Sequence, residues 1–197
     1  MNALMPLSML VIFGSVRRDR QGIGLARFLV ESVRSRGHSA TLVDPLEESL
    51  PLLDRMYKEY PAGEAPANLE RIAGLIRSSD GIIVVSAEYN HSIPPALSNL
   101  LDHFLEEFFY RPSAIACYSA GPFGGVRAAM QLRAMLAELG TPSIPSLFPV
   151  PRVQDAYALD GTSRDPANAG RVARFLAELE WYAAALKSAR AQGLPQV

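Results

Sequence analysis

At 197 residues and 49% hydrophobic side chains, the chain has the length of one globular domain, 1–197, and enough apolar surface for a full core. Nineteen basic against twenty acidic residues leave a formal charge of -1, which argues against nucleic acid or an anionic membrane as partner and makes any anion site a local one. The single Cys117 excludes an intrachain disulfide framework and a CxxC metal knuckle, and it suits a reducing compartment, the cytoplasm by default.

The N-terminal stretch "ALMPLSMLVIF" lacks a basic leader and runs straight into Gly14 and a set of arginines, so it is expected to be structural, not a signal peptide. No apolar run reaches the roughly 20 residues that span a bilayer. "LSMLVIFG" (7–14) predicts the first strand. "GIGLARFLVESVRSRG" (22–37) puts Ile23, Ala26, Leu29, Val30 and Val33 on one helical face, and "HSATLVD" (38–44) predicts the second strand. The next helix, 66–80, offers Leu69, Ile72, Ala73 and Ile76 as its buried stripe. "GIIVVSA" (81–87) is apolar throughout, as a strand covered on both faces must be.

A helix is then predicted over 94–109, a strand over 113–121, a helix over 124–140, a strand over 142–150 and a closing helix over 168–193. Prolines at 142, 145, 149 and 151 place the fifth strand at a sheet edge, where missing N–H donors cost least. Five strands alternating with five helices make an α/β three-layer sandwich, with irregular pieces at 45–65 and 151–167. Ligands of such sheets bind beyond the carboxyl ends of the strands, near the point where strand order reverses.

Three loops follow strands at that edge. "GSVRRDRQG" (14–22) combines a tight glycine exit, a hydroxyl, three arginines and a helix N-terminus, a set that recognises phosphate; the plain alternative is a solvated polar loop. Its ligand is not an NTP held by a P-loop, because GxxxxGK is absent. The GxGxxG pattern also fails, with Arg27 in the last position, which leaves Asp44 as a turn or cap residue. "SAEYNHSIPPAL" (86–97) brings a flat ring and hydroxyl at Tyr89, an amide at Asn90 suited to a sharp turn, and Pro94 or Pro95 to start a helix, or else it is an ordinary turn with Ser92 as N-cap. "YSAGPFGG" (118–125) lets backbone approach something planar, or is simply flexible.

Together these stretches resemble the NAD(P)H-dependent FMN reductase family of flavodoxin-like proteins, which includes quinone, azo and chromate reductases. "GSVRRDRQGIGLA" is similar to GSxRxxRxGxxxA, "EYNHSIPPALSNLLD" to PEYNxSxPxxLKNAID, and "SAGPFGGVRA" to SxGxxGGxRA; with "LPLLD" (50–54), the likeness runs in order through residues 7–150. Ala87 stands where the pattern has Pro, and Ser98 where it has Lys.

The resemblance implies a flavodoxin-like parallel sheet in order 2-1-3-4-5, FMN as cofactor and NADPH or NADH as electron donor. It implies that Ser15, Arg17 and Gly22 hold the phosphate with Arg20 nearby. Glu88, Tyr89 and Asn90 would border the ribityl chain and ring, mainly through backbone, and Ser119, Gly121, Gly124 and Gly125 would meet the ring's far edge. The chemistry implied is ping-pong reduction of small acceptors such as quinones and azo compounds, with no catalytic triad or metal site needed, since the flavin carries the electrons. A reductase of free FMN, or a flavodoxin-type carrier, is the alternative.

His91 adjoins the second loop and offers a nicotinamide or acceptor contact, His103 an interface or core role, and His38 a strand start; scattered in this way they form no zinc site. Cys117 reads as an inert buried thiol. "EEFFY" (106–110) carries more aromatic surface than one helical face buries. Family members are typically dimers, so the resemblance makes that helix the expected interface of a homodimer or homotetramer.

Overall fold

The computed structural model describes residues 5–195. Five strands, β1 (Ser8–Phe13), β2 (Ser39–Val43), β3 (Gly81–Ala87), β4 (Ser113–Tyr118) and β5 (Ser143–Val150), form one sheet in order β2-β1-β3-β4-β5. All pairings are parallel. The direction of progression reverses between β1 and β3, which opens a crevice at their carboxyl ends.

Period-two alternation in the strands splits the core into two slabs. Met9, Val11, Phe13, Ile83 and Val85 face α1 (Ile23–Ser35) and α7 (Ala167–Ala191). Leu10, Ile12, Ile82 and Val84 face α3 (Ala67–Ser78), α4 (Pro95–Asp102) and α5 (Val126–Glu138). The buried stripe of α3 is Leu69, Ile72, Ala73 and Ile76, as its periodicity requires. β3 is buried at every residue because both slabs press on it. Two four-residue helices, α2 (Pro45–Glu48) and α6 (Val153–Ala156), give order to the connections expected to be irregular. Among the described residues no helix is long and apolar enough to cross a membrane.

β5 lies at an edge, and its outward carbonyls are covered by cations as well as broken by prolines. Arg133 donates to the Ile144 and Pro145 carbonyls at 2.8 and 2.6 Å, and Arg171 to that of Pro149 at 2.6 Å. An edge so occupied offers little to another strand.

The helix expected over 94–109 ends at Asp102. Its continuation is intercepted twice: the Tyr57 amide takes the His103 carbonyl at 2.8 Å, and the Glu107 carboxylate turns back to accept from the Leu105 amide at 3.3 Å. Breaking the helix solves the packing of the aromatic cluster within the chain. Phe104 and Phe108 meet edge-on at 6.5 Å in the core, and Phe109 packs against Gly140. Phe104 and Phe108 are therefore core residues, while Phe109 and Tyr110 stay half-buried beside a surface cleft that they line. His103 is a core residue, 1% exposed, bonded to the Pro51 carbonyl at 3.2 Å. His38, also buried, accepts from the Leu7 amide and faces Glu180, far from the crevice.

Candidate functional site

Loops from β1, β3 and β4 surround a hollow of about 230 Å³ at the carboxyl edge of the sheet. Ser15, Arg17 and Arg20 enter it from the first loop, Glu88 and Tyr89 from the second, and Tyr118 and Ser119 from the end of β4. A wider cleft of about 500 Å³ lies beside Phe109, Arg111 and Arg190. Its cations are already used: Arg111 donates to the carbonyls of Ser79, Glu107 and Phe109, and Arg190 to Tyr110 and Asp80. Among the described residues, the hollow combines convergent loops with an uncommitted cation, Arg17.

The three arginines of the first loop have separated by environment. Arg20 pairs with Asp44, whose side chain is 3% exposed, and donates to the Ser15 carbonyl at 3.3 Å with its guanidinium 5.6 Å from the Phe13 ring centre. Asp44 also caps α2 by accepting from the Leu46 amide at 3.1 Å. A buried carboxylate needs such a partner, so Arg20 acts as a strut of the loop. Arg18 is exposed, outside the wall of the hollow. Arg17 lines the hollow, and among the described residues its guanidinium has neither a hydrogen bond nor an ion pair. Beside it, buried Ser15 accepts from the Arg17 amide at 3.4 Å and shares a 2.8 Å bond with the Tyr89 hydroxyl. Among the described residues the Gln21 and Gly22 amides, at the entry to α1, make no hydrogen bond. Free amides, a helix N-terminus and an unpaired guanidinium give this end of the hollow the donors that an anion requires.

The second loop is a tight turn tied to α5. Tyr89 and Ser92 exchange backbone bonds of 3.0 and 2.9 Å across Asn90 and His91, both at positive φ (51° and 63°). That is the type I′ pattern, which asparagine and histidine tolerate better than most side chains. Asn90 therefore holds the turn and, like His91, is exposed outside the hollow. Ser92 does not cap α4, which begins after Pro94. Its hydroxyl donates to Gln131 at 2.7 Å, and the Gln131 amide donates to the His91 carbonyl at 2.8 Å. Glu88 makes the second tie. Its carboxylate, 7% exposed, accepts from the Arg127 and Ala128 amides at 3.0 and 3.4 Å and from the Arg127 guanidinium at 2.9 Å. Burial pushes the Glu88 carboxyl up, but those three donors outweigh it and hold it below its ordinary value.

The third loop is built on close approach. Gly125 starts α5 at φ 79°, where a Cβ would lie 2.7 Å from backbone atoms of Tyr118; Gly124 sits at φ 66°. The Ser119 hydroxyl closes the loop, donating to the Gly121 carbonyl and accepting from the Gly124 amide, both at 2.9 Å. Gly121, Gly124 and Gly125 shape this loop from outside the wall of the hollow. Phe123 at its tip is 59% exposed, with the Arg127 guanidinium 4.3 Å from its ring centre. Cys117, one residue before Tyr118, is raised to about 12, by burial first and then by the Glu88 charge, so its thiol is protonated and unreactive.

Tyr118 is the main residue that the loop motifs did not indicate. Its ring stacks on Phe13 at 6.3 Å, and a Cβ on Gly22 would land inside it. Gly22 is thus required by the phenol that floors the hollow. Burial raises the Tyr118 hydroxyl above its ordinary range, so it remains a neutral donor. Strand alternation carried a signal for it: Ala114, Ala116 and Tyr118 share the α1 face, and only the last is polar. Asp19, Gln21, Val153 and Gln154 also line the hollow. The last two arrive from beyond β5, and no local pattern marks them.

The sequence model of the NADPH-dependent FMN reductase family matches residues 7–155. An NADPH azoreductase of Bacillus sp. (strain OY1-2) is 27% identical over 71% of this chain and 74% of its own length. A quinone reductase of Pseudomonas putida (strain KT2440) is 32% identical over 68% of this chain and 72% of its own length. In structure, the chain is similar to FerB, a flavoenzyme NAD(P)H:(acceptor) oxidoreductase from Paracoccus denitrificans, with a TM-score of 0.70 at 24% identity over 89% of this chain and 98% of that one. A flavodoxin of Pseudomonas aeruginosa shares the fold at a TM-score of 0.54.

If the Tyr118 ring is what makes Gly22 obligatory, Gly22→Ala lowers stability by about 1–3 kcal/mol through overpacking, and Tyr118→Leu in the same chain recovers most of the loss. Urea denaturation of the four members of this cycle measures the coupling; additive effects would place the cause elsewhere. Glu88 generates a pH prediction. Its folded-state value lies below the unfolded one, so its contribution is fully present above the ordinary carboxylate range, declines as pH falls below the unfolded value and is gone once pH has fallen through the lower folded value. The Arg127 amide proton resonance should titrate with a midpoint below 4.5; a midpoint above it would contradict the tie.

Proposed function

The chain belongs to the NADPH-dependent FMN reductase family, and from that membership we propose that this oxidoreductase binds FMN in the hollow and uses NAD(P)H to reduce small acceptors such as quinones or azo compounds. One observation carries the reading: an unpaired Arg17 beside the buried Ser15 hydroxyl at the entry to α1. The residues present fit the cofactor. A phosphate ester needs charge-assisted donors, which Arg17, Ser15 and the free amides of Gln21 and Gly22 supply, while the polyol chain needs neutral hydroxyl partners, which Tyr89 and Tyr118 supply.

Held there, FMN would supply the redox chemistry, a hydride equivalent from NAD(P)H being delivered with a solvent proton to the acceptor in ping-pong order. The chain's own side chains bind and orient. Arg17 and Ser15 take the phosphate, with Gly22 giving the room that Tyr118 needs. The second loop at Glu88, Tyr89 and Asn90, and the third at Ser119, Gly121, Gly124 and Gly125, offer backbone to the ring; Glu88 and Gln131 keep them in register with each other. Arg20 contributes by fixing the first loop on Asp44. No side chain has to transfer a proton at the ring for this chemistry.

Exposed apolar side chains favour a homo-oligomer, dimer or tetramer. Val126 and Met130, 36% and 51% exposed, lie one turn apart on α5 next to the exposed Phe123. A cytoplasmic location supplies NAD(P)H and keeps Cys117 reduced.

Arg17→Ala removes a charge-assisted bond, so FMN affinity should fall by about ten- to a hundredfold, ~1.5–3 kcal/mol. Fluorescence titration measures this, and an unchanged affinity would place the phosphate elsewhere. The visible spectrum of the FMN-loaded protein should bleach with NADPH under anaerobic conditions and recover with a quinone. Light scattering should give two or four times the 21.4 kDa chain mass, and a monomer at micromolar concentration would count against the oligomer.

A further inference from the structure

α7 buries Val172, Phe175, Leu176, Leu179 and Ala183 against the sheet, yet its opposite side does not have the composition of a solvent face. A helix covered on one side carries polar residues on the other. α1 obeys this rule, with Arg27, Glu31, Arg34 and Ser35 at its exposed positions. On α7 the outward row is Gly170, Arg174, Ala177, Trp181, Ala184 and Ser188, of which Ala184 is half-buried and the rest are exposed. Arg174 is the only charge in the row, and Trp181 is 66% exposed.

Steps of four and three residues alternate along the row, which is the spacing with which one helix seats against another. Every second position is glycine or alanine, and small side chains let two helix axes approach closely. Gly170 costs about 1 kcal/mol relative to alanine in a helix, although a Cβ there would meet nothing within 4 Å in the chain itself. The intervening positions carry residues that dominate the energetics of interfaces, tryptophan and arginine. The Tyr182 ring stands edge-on to Trp181 at 5.0 Å. Among the described residues the Trp181 indole N–H and the Arg174 guanidinium make no hydrogen bond, and neither Arg174 nor its neighbour Glu178 has an ion pair.

We propose that this face of α7 binds the same face of a second copy of the chain, antiparallel about a twofold axis. In such a pair residue i meets residue j and j meets i. A crossing centred between Ala177 and Glu178 sets Trp181 against Arg174 of the partner subunit and, by symmetry, the reverse, which makes two cation–π contacts across small central side chains. Glu178 then lies within a turn of the same guanidinium. A parallel pair would instead bring the two Arg174 cations together. α7 covers one side of the sheet and α5, with its exposed Val126 and Met130, covers the other, so the two faces make separate contacts and a chain that uses both is a tetramer. The proposal deepens the homo-oligomer reading above and is independent of flavin binding, since none of these residues lines the hollow.

The test is light scattering of the full chain at micromolar concentration. Trp181→Lys sets a cation against Arg174 of the partner subunit, so the mass of the assembly should halve, with the FMN affinity of the same sample unchanged. Arg174→Glu alone should also halve the mass, and the two substitutions together, which place opposite charges across the axis, should restore it. A second measurement uses Ala177→Cys. Cys117 is buried, so the introduced thiol is the accessible one, and oxidation with diamide should give a covalent dimer on a non-reducing gel. An assembly whose mass ignores Trp181→Lys, a double variant that stays at half mass, or an Ala177→Cys protein that forms no covalent dimer overturns the α7 contact alone. A wild-type monomer overturns the contact and the homo-oligomer reading with it, and leaves the flavin reading to its own titration.

Discussion

The site depends on how closely the end of β4 approaches the starts of two helices. The Tyr118 ring presses on Gly22 at the entry to α1, and the Tyr118 backbone presses on Gly125 at the entry to α5. A side chain at either glycine would push a helix N-terminus away from the sheet, and the amides that face the hollow would move with it. Sheet packing and ligand binding thus share one steric constraint. The glycines are needed for different reasons: Gly125 has both a positive φ and no space, whereas Gly22 has ordinary helical φ and only lacks space.

Charge is organised around that frame by burial. Each enclosed carboxylate near the hollow has taken an arginine: Asp44 holds Arg20, and Glu88 holds Arg127. Leaving either carboxylate unpaired would cost several kcal/mol, so those arginines are bound to the fold. Among the described residues, Arg17, at the exposed lip, is the cation lining the hollow without such an obligation. A loop with three arginines therefore leaves one of them unpaired on the wall of the hollow, which keeps the local field on a single spot in a chain that is close to neutral.

The second and third loops act as one unit. Glu88 reaches the first turn of α5 and Gln131 grips the Asn90–His91 turn a further turn along, so the turn after β3 and the helix after β4 cannot move independently. The segment after β5 adds a third restraint, its Arg152 and Val153 amides bonding the Gly121 and Ser119 carbonyls. Three loops that would be mobile alone are cross-braced, and a ligand binding there pays less to order them.

Much of this was legible in the sequence. Hydrophobic period determined the strands and the helical stripes, since burial on one face or two leaves a pattern in the order of residues, and prolines marked β5 as an edge strand. The loop motifs, through their resemblance to a family, indicated the carboxyl edge and the stretches that build the site. Tertiary structure alone decided which residues are committed to the fold. Arg17 and Arg20 are the same residue type three positions apart, and only the buried Asp44, brought up by β2, separates the unpaired cation from the strut. Glu88, expected to border the ring through its backbone, spends its side chain on α5 because that helix starts beside it. The helix expected to run on through 109 stops at Asp102 because Tyr57, from a distant segment, captures the His103 carbonyl. Gln154 enters the hollow only because the chain returns over α1. Such outcomes depend on contacts between residues far apart in the chain, and local sequence carries no record of the partner.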